Sequence, residues 1–200
     1  MTQAEQLAKF VVRASYGDLS EAARSQLKIR ILDALGCAIG ALDGQPISLL
    51  KAQIEDFDGK RGTGHCTLIG GGKTAPDRAA LYNSALVRYL DFNDSYLARG
   101  ETCHPSDNLG AVMAAVEYAS GSGRELLTAL AVGYQVQCRL SDVAPVRAKG
   151  FDHTTQGSYA VAAGVSKALD LDEVRTANAI AICGTAFNAL RVSRTGALSY

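Results

Sequence analysis

Apolar residues recur at every third or fourth position along most of this chain, which is the spacing of one face of an α-helix. In the first segment Leu7, Phe10, Val11 and Ala14 follow residues 2–5, whose Thr-x-x-Glu order is that of a capping box. Comparable patterns begin near residues 20, 46, 74, 109, 125, 155 and 172. They predict an all-α, multi-helical domain over residues 1–200, with seven or eight helices packed antiparallel through small residues.

The composition narrows the class of protein. The chain carries 20 basic and 20 acidic residues, so it lacks the positive charge with which proteins neutralise nucleic-acid phosphates. Its apolar runs fall far short of the roughly 20 residues that span a membrane, and its N-terminus does not have the form of a secretory signal. Five widely spaced cysteines show none of the close pairs that bind zinc or an iron–sulfur cluster. We therefore expect a cytoplasmic protein with reduced cysteines, no metal or other cofactor, no nucleic-acid partner and no membrane association.

Two of the three histidines lie in polar segments between predicted helices, where catalytic groups are common. The first of these segments places Asp91, Asp94, Ser95 and His104 close together in the sequence. Because His104 precedes a proline, its backbone is expected to be extended and its imidazole to project from a loop. A turn in which residues 107 and 108 only cap the next helix explains this segment equally well.

The other histidine of this kind, His153, lies at the start of a predicted helix, after Lys149 and before two threonines. Helix capping explains the threonines, but it does not explain the histidine. Farther on, Arg191 and Arg194 have the side chains that bind the carboxylates of a di- or tricarboxylate through paired N–H groups. A solvated surface near the end of the chain accounts for the two arginines as well.

Four motifs in register resemble the signatures of one enzyme family. Residues 90–95 read Leu-Asp-Phe-Asn-Asp-Ser, and residues 103–110 read Cys-His-Pro-Ser-Asp-Asn-Leu-Gly. Residues 150–155 read Gly-Phe-Asp-His-Thr-Thr, and residues 194–199 read Arg-Thr-Gly-Ala-Leu-Ser. In order, spacing and helical context they are similar to the motifs of the MmgE/PrpD family, along essentially the whole chain.

The resemblance implies an enzyme whose active site lies between a large helical domain and a smaller α+β lid. Relatives are much longer, so this chain is expected to be the N-terminal part of the helical domain, without the lid and without an active-site lysine that normally follows the last motif. The matched active-site positions are Asp91, Ser95, His104 and His153. The expected contacts with a polycarboxylate substrate are Asp94, Lys149, Arg191 and Arg194.

Within this family the first motif is closest to that of the 2-methylcitrate dehydratases. We expect His104 and His153 to act as the acid and the base, Asp91 to orient one imidazole or serve as a second base, and Ser95 to hold a substrate oxygen. A cis-aconitate decarboxylase or an iminodisuccinate epimerase would use the same groups on a related polycarboxylate. A catalytically silent dimerisation module is a further alternative, and the resemblance predicts a homodimer.

Overall fold

The computed structural model describes residues 1–58 and 65–195, and eight helices of ten residues or more run through these two ranges. The helices are α1 Gln3–Arg13, α2 Glu21–Gly40, α3 Gln45–Asp58, α4 Pro76–Tyr89, α5 Leu109–Tyr118, α6 Gly123–Val143, α7 Thr154–Ala168, α8 Glu173–Ala186 and the short α9 Val192–Thr195. The strands are β1 Cys66–Thr67, β2 Lys73–Thr74, β3 Tyr96–Ala98 and β4 Glu101–Cys103. The all-α prediction is confirmed. None of the helices described is both long enough and apolar enough to cross a membrane.

Polar residues at the helix starts form the caps that their sequence predicts. The Thr2 hydroxyl accepts a hydrogen bond from the Glu5 backbone N–H at 3.3 Å, and the Glu5 carboxylate accepts one from the Thr2 N–H at 2.6 Å. Ser122 and Glu125 form the same reciprocal pair at the start of α6, and Ser20 caps α2. Each cap satisfies N–H groups that a first helical turn leaves unpaired, and so favours one residue as the start of the helix.

Two groups of buried apolar side chains hold the helices together. The larger lies among α2, α3, α4, α5 and the first half of α6, and it includes the buried side chains of Tyr82, Leu86 and Leu109. The smaller joins α1, α6, α7 and α8 around Val11 and Ile180. Because α6 contributes side chains to both groups, it links the two halves of the fold.

Close approach of paired helices depends on two glycines. A Cβ at Gly110 in α5 would lie 2.4 Å from the backbone nitrogen of Ser84 in α4. A Cβ at Gly164 in α7 would lie 2.9 Å from Val112 and 3.2 Å from the carbonyl oxygen of Ala129 in α6. Real side chains do not approach so closely, so larger residues would force these helices apart. The predicted packing through small residues is found at both positions.

The polar stretch between α4 and α5, residues 90–108 (the His104 segment), is more regular than its sequence predicts. Strands β3 and β4 pair antiparallel within it, with Ala98 opposite Glu101. A 3-10 turn at Pro105–Asn108 then leads directly into α5. Each strand has three residues, which is too few for an alternating pattern to be recognised in the sequence.

The connection between α6 and α7, residues 144–153 (the His153 segment), contains a 3-10 turn at Arg147–Lys149. Gly150 follows this turn with a φ of 86°, a left-handed conformation that glycine adopts without strain. The Phe151 backbone then forms an antiparallel bridge with Leu190. The chain is therefore held directly after the turn, before it reaches His153 and α7.

Candidate active site

The fold brings His104 and His153 together. Their ring centroids are 5.2 Å apart, and the ring planes meet at 66° in an edge-to-face arrangement. His104 comes from the His104 segment, immediately after β4, and His153 comes from the end of the His153 segment. Two side chains far apart in the sequence thus lie close together, at the points where their segments lead into α5 and α7.

The His104 imidazole is held through its Nδ1 atom. This nitrogen lies 3.0 Å from the carbonyl oxygen of Asp94 and 3.2 Å from the hydroxyl oxygen of Ser95. A carbonyl oxygen can only accept a hydrogen bond, so Nδ1 must carry a proton. In the neutral ring the lone pair that accepts a further proton therefore belongs to Nε2, which gives His104 the tautomer of a general base.

Asp94 anchors the segment that holds His104. One carboxylate oxygen accepts a hydrogen bond from the Ser106 backbone N–H at 3.0 Å, and the other accepts one from the Tyr134 hydroxyl at 2.7 Å. Burial and the neighbouring carboxylate raise the pKa of Tyr134, so the phenol stays protonated and donates. With both oxygens engaged by the protein, the geometry supports an anchoring role for Asp94 in place of the expected contact with substrate.

The His153 imidazole lies against the carboxylate of Asp152, with Nδ1 at 3.2 Å from one carboxylate oxygen. The other carboxylate oxygen of Asp152 lies 3.4 Å from the guanidinium of Arg191. Asp152 and His153 are both buried, whereas Arg191 is partly exposed. Asp152 was not among the predicted site residues, although its place directly before a candidate histidine is a signal that could have identified it. Arg191 was expected to bind a substrate carboxylate, and here it pairs with a carboxylate of the protein.

Asp91, the carboxylate that was expected to orient an imidazole or serve as a second base, lies on the surface with its side chain 69% exposed. It forms an ion pair with Arg88 at the end of α4, and its backbone is left-handed with a φ of 56°. The Nδ1 atoms of the two imidazoles instead face the Asp94 carbonyl and the Asp152 carboxylate. The carboxylate that the geometry assigns to orienting an imidazole is therefore that of Asp152.

The remaining predicted contacts differ in their exposure. Ser95 is exposed beside His104, so its hydroxyl is accessible from the same side of the molecule as that ring. Lys149 is exposed at the end of the 3-10 turn in the His153 segment. The side chain of Arg194 and residues 196–200, which complete the last motif, lie outside the part of the chain that the structure describes.

A partly buried polar network lies beside His104. Asp107 accepts a hydrogen bond from the Asn93 side-chain amide at 2.9 Å and lies 4.0 Å from the guanidinium of Arg88. Burial raises the pKa of Asp107 to about 6, although Arg88 and His104 oppose the rise. The sequence pattern presented Asp107 only as a possible helix cap, because the burial that perturbs it arises from tertiary packing.

Within residues 1–58 and 65–195, no group of three or more histidine, cysteine, aspartate or glutamate side chains is arranged to hold a metal ion. The five cysteines are free thiols. The groups that the site offers for chemistry are therefore two imidazoles, the Ser95 hydroxyl and the nearby carboxylates and guanidinium groups.

Two imidazoles held in contact by a helical framework, each with Nδ1 engaged, form an arrangement that is suited to acid–base chemistry. Residues 5–200 match the model of the MmgE/PrpD N-terminal domain, and the chain belongs to this family. The family resemblance of the four motifs is thereby confirmed.

Several curated relatives are dehydratases. The chain is 29% identical over 182 residues to 2-methylcitrate dehydratase of Escherichia coli (strain K12), a match that covers 82% of this chain and 36% of that protein. It is 31% identical over 188 residues to the alkylcitrate dehydratase phiI of a fungal species, covering 84% of this chain and 36% of the relative. It is 28% identical over 176 residues to the probable 2-methylcitrate dehydratase of Saccharomyces cerevisiae, a match that covers 80% of this chain and 33% of that relative. The chain thus spans about a third of the length of these relatives.

Proposed function

We propose that this chain supplies the acid–base residues of a hydro-lyase that dehydrates 2-methylcitrate to 2-methyl-cis-aconitate. The observation on which the proposal rests is the contact between His104 and His153, with ring centroids 5.2 Å apart. Family membership and the dehydratase names of the relatives support the reaction class. The substrate is the finer part of the proposal, since the matched relatives are 29% and 31% identical to this chain over segments that cover 36% of their own length.

The reaction requires one group to take a proton and another to give one. A base removes the proton from the carbon next to a carboxylate, the carbon–oxygen bond to the neighbouring hydroxyl breaks, and an acid protonates the departing hydroxide to give water. His104 is assigned as the base because its Nδ1 proton points at a carbonyl oxygen, which leaves Nε2 to accept. His153 is assigned as the acid because the Asp152 carboxylate at its Nδ1 stabilises the protonated ring.

The polar groups around the pair are assigned to substrate contacts. Ser95 is proposed to bind a substrate oxygen because its hydroxyl is exposed and lies 3.2 Å from His104 Nδ1. Lys149 and Arg194 are proposed to bind substrate carboxylates, and the exposed Asp91 is proposed to serve as a second proton acceptor. Arg191 is assigned to support of the Asp152–His153 pair, on the strength of its contact with Asp152.

Substitution of the histidines, followed by measurement of turnover, tests the acid–base assignment. His104→Gln and His153→Gln should each lower kcat about 100- to 10,000-fold, the usual contribution of a positioned acid or base. His65→Gln is the matched control, since it removes the third histidine of the chain, which is exposed just before β1. Near-normal turnover of His104→Gln would overturn its role as base.

Product analysis separates dehydration from the related reactions. A dehydratase releases water and yields an unsaturated product, a decarboxylase releases carbon dioxide, and an epimerase leaves the elemental formula unchanged. Release of carbon dioxide, or recovery of an isomer with the substrate's mass, would replace the proposed reaction with one of these alternatives while keeping the same acid–base pair.

We also propose that the protein is a homodimer, because one face of α2 is apolar and exposed. Ile29, Leu32 and Ile39 share this face and are 52%, 72% and 62% exposed. Leu32→Glu should shift sedimentation from dimer to monomer, whereas Leu49→Glu, at a similarly exposed leucine on α3, should not. A wild-type protein that sediments as a monomer at micromolar concentration would contradict the proposal.

A further inference from the structure

Glu101 is a buried carboxylate that joins the two histidine-bearing segments. It belongs to β4, and its side chain has no exposed surface. One carboxylate oxygen accepts hydrogen bonds from the backbone N–H groups of Val146 at 2.9 Å and Arg147 at 3.0 Å. The other oxygen lies 3.4 Å from the Nε atom of Arg147. The carboxylate is therefore paired with two backbone amides and one guanidinium, all from the His153 segment.

Glu101 and its partners each lie a few residues before one of the two histidines. Glu101 begins the strand that runs directly into His104, and Val146 and Arg147 begin the turn that leads to His153. A shift of the His153 segment relative to β4 would therefore change the separation of the two imidazoles. Burying a carboxylate costs free energy that charge-assisted hydrogen bonds offset, and a surface position would not incur this cost. A buried, charge-assisted contact of this kind is suited to fixing the position of the His153 segment relative to β4.

We propose that Glu101 is a positioning residue that sets the separation between His104 and His153, an inference that rests on the proposed acid–base function of the pair. Glu101 has no part in proton transfer. It restrains the His153 segment through backbone hydrogen bonds, while Asp94 and Asp152 orient the two rings through their Nδ1 atoms. Acid–base catalysis depends on placement to within a fraction of an ångström, so the loss of this restraint should act on kcat.

The test uses the 200-residue chain and the nuclear Overhauser effect between the C–H protons of the two imidazoles, assigned with His104→Gln and His153→Gln. Wild type should give a cross-peak between the rings. Glu101→Ala and Glu101→Asp should weaken or abolish it, because the first removes the acceptor and the second shortens the side chain by one methylene. Glu101→Gln should retain it, because the amide oxygen still accepts from the backbone. In a protein with measurable turnover, a misplacement of about 1 Å should lower kcat about 100-fold.

Glu117→Ala is the matched control. The Glu117 carboxylate accepts hydrogen bonds from the Thr67 backbone N–H at 2.7 Å and from its hydroxyl at 2.6 Å, and so joins β1 to α5 in the same manner. This variant should lose stability but keep the imidazole cross-peak. Circular dichroism confirms that each variant is folded, and Glu101→Asp, which keeps the negative charge, gives the decisive spectrum if Glu101→Ala does not fold.

The outcomes separate this inference from the proposed function. If the wild-type chain lacks the cross-peak, the pair is not assembled, and both the acid–base proposal and the role of Glu101 are overturned. If wild type shows the cross-peak and Glu101→Asp keeps it at full intensity, Glu101 does not set the separation, although the acid–base proposal stands. Loss of the cross-peak in Glu117→Ala as well would show a general effect of destabilisation and would also overturn the inference.

Discussion

Gly110 offers a direct test of the helix packing on which the site depends. A Cβ at this position would lie 2.4 Å from the Ser84 backbone nitrogen, 2.5 Å from the Ser84 hydroxyl oxygen and 2.9 Å from the Asn83 carbonyl carbon. Two of these atoms belong to the backbone and cannot rotate away, so α4 and α5 must separate by about 1 Å to reach ordinary van der Waals contact. Overpacking of this kind costs about 3 kcal/mol, and the higher helix propensity of alanine returns about 1 kcal/mol.

Gly110→Ala should therefore lower the free energy of unfolding by about 2 kcal/mol, measured by urea unfolding and followed by circular dichroism. For a chain of this size the corresponding fall in Tm is about 4 to 8 °C. Because α4 and α5 bound the His104 segment at its two ends, the same variant should also reduce any measurable turnover.

Gly36→Ala provides the matched comparison. Gly36 lies in the middle of α2, and no heavy atom lies within 4 Å of the position that its Cβ would occupy. Because Gly36 lies on the α2 face of the proposed dimer, both glycine variants are compared in the Leu32→Glu background, where Gly36→Ala should gain about 0.5 to 1 kcal/mol from helix propensity alone. If Gly110→Ala were as stable as Gly36→Ala, the close contact between α4 and α5 would be wrong, and the placement of the His104 segment would lose its structural basis.

Two further predictions concern buried polar groups. Burial raises the pKa of Asp107 from 3.8 to about 6, so between these pH values the folded chain keeps a proton that the unfolded chain has lost, and the free energy of unfolding falls as the pH rises. The advantage of Asp107→Asn over wild type in urea unfolding should therefore grow through this range to at most about 3 kcal/mol and stay constant above it; an advantage independent of pH would refute the assignment. Asn83 is fully buried, accepts from the Ile69 N–H at 2.9 Å and donates to the Thr67 carbonyl oxygen at 2.8 Å. Asn83→Ala should cost about 2 to 4 kcal/mol and accelerate amide exchange at Ile69, and unchanged exchange would count against this contact.

The helical framework was predictable from the sequence because its signals are local. The capping box at residues 2–5 and the apolar spacing that follows it act within one helix, and both are found in the structure. Small residues at helical positions indicated close packing in general, but the contacts of Gly110 and Gly164 are known only from the structure. Local signals of this kind predicted the fold class and the number of long helices.

The candidate site was only partly predictable because its contacts join distant residues. The motifs identified His104 and His153, but no spacing along the chain shows that their rings meet or that Asp152 lies against one of them. Asp94 was expected to contact substrate because it lies in a motif, and its engagement by Ser106 and Tyr134 appears only once α6 is packed against the His104 segment. Whether a polar side chain binds substrate or anchors the protein depends on its burial, and a sequence motif does not show burial.

Both imidazoles lie on connections between helices, so their positions depend on how these connections pack against the rest of the fold. A residue inside a helix is held by the hydrogen bonds of its own backbone, whereas a residue on a connection takes its position from whatever the connection contacts. For His104 those contacts are Asp94 and the strand that contains Glu101, and for His153 they are Asp152 and the turn at Arg147–Lys149. Substitutions that separate α4 from α5, or that release the turn from β4, should therefore reduce turnover more than they reduce secondary structure, even though they touch neither imidazole.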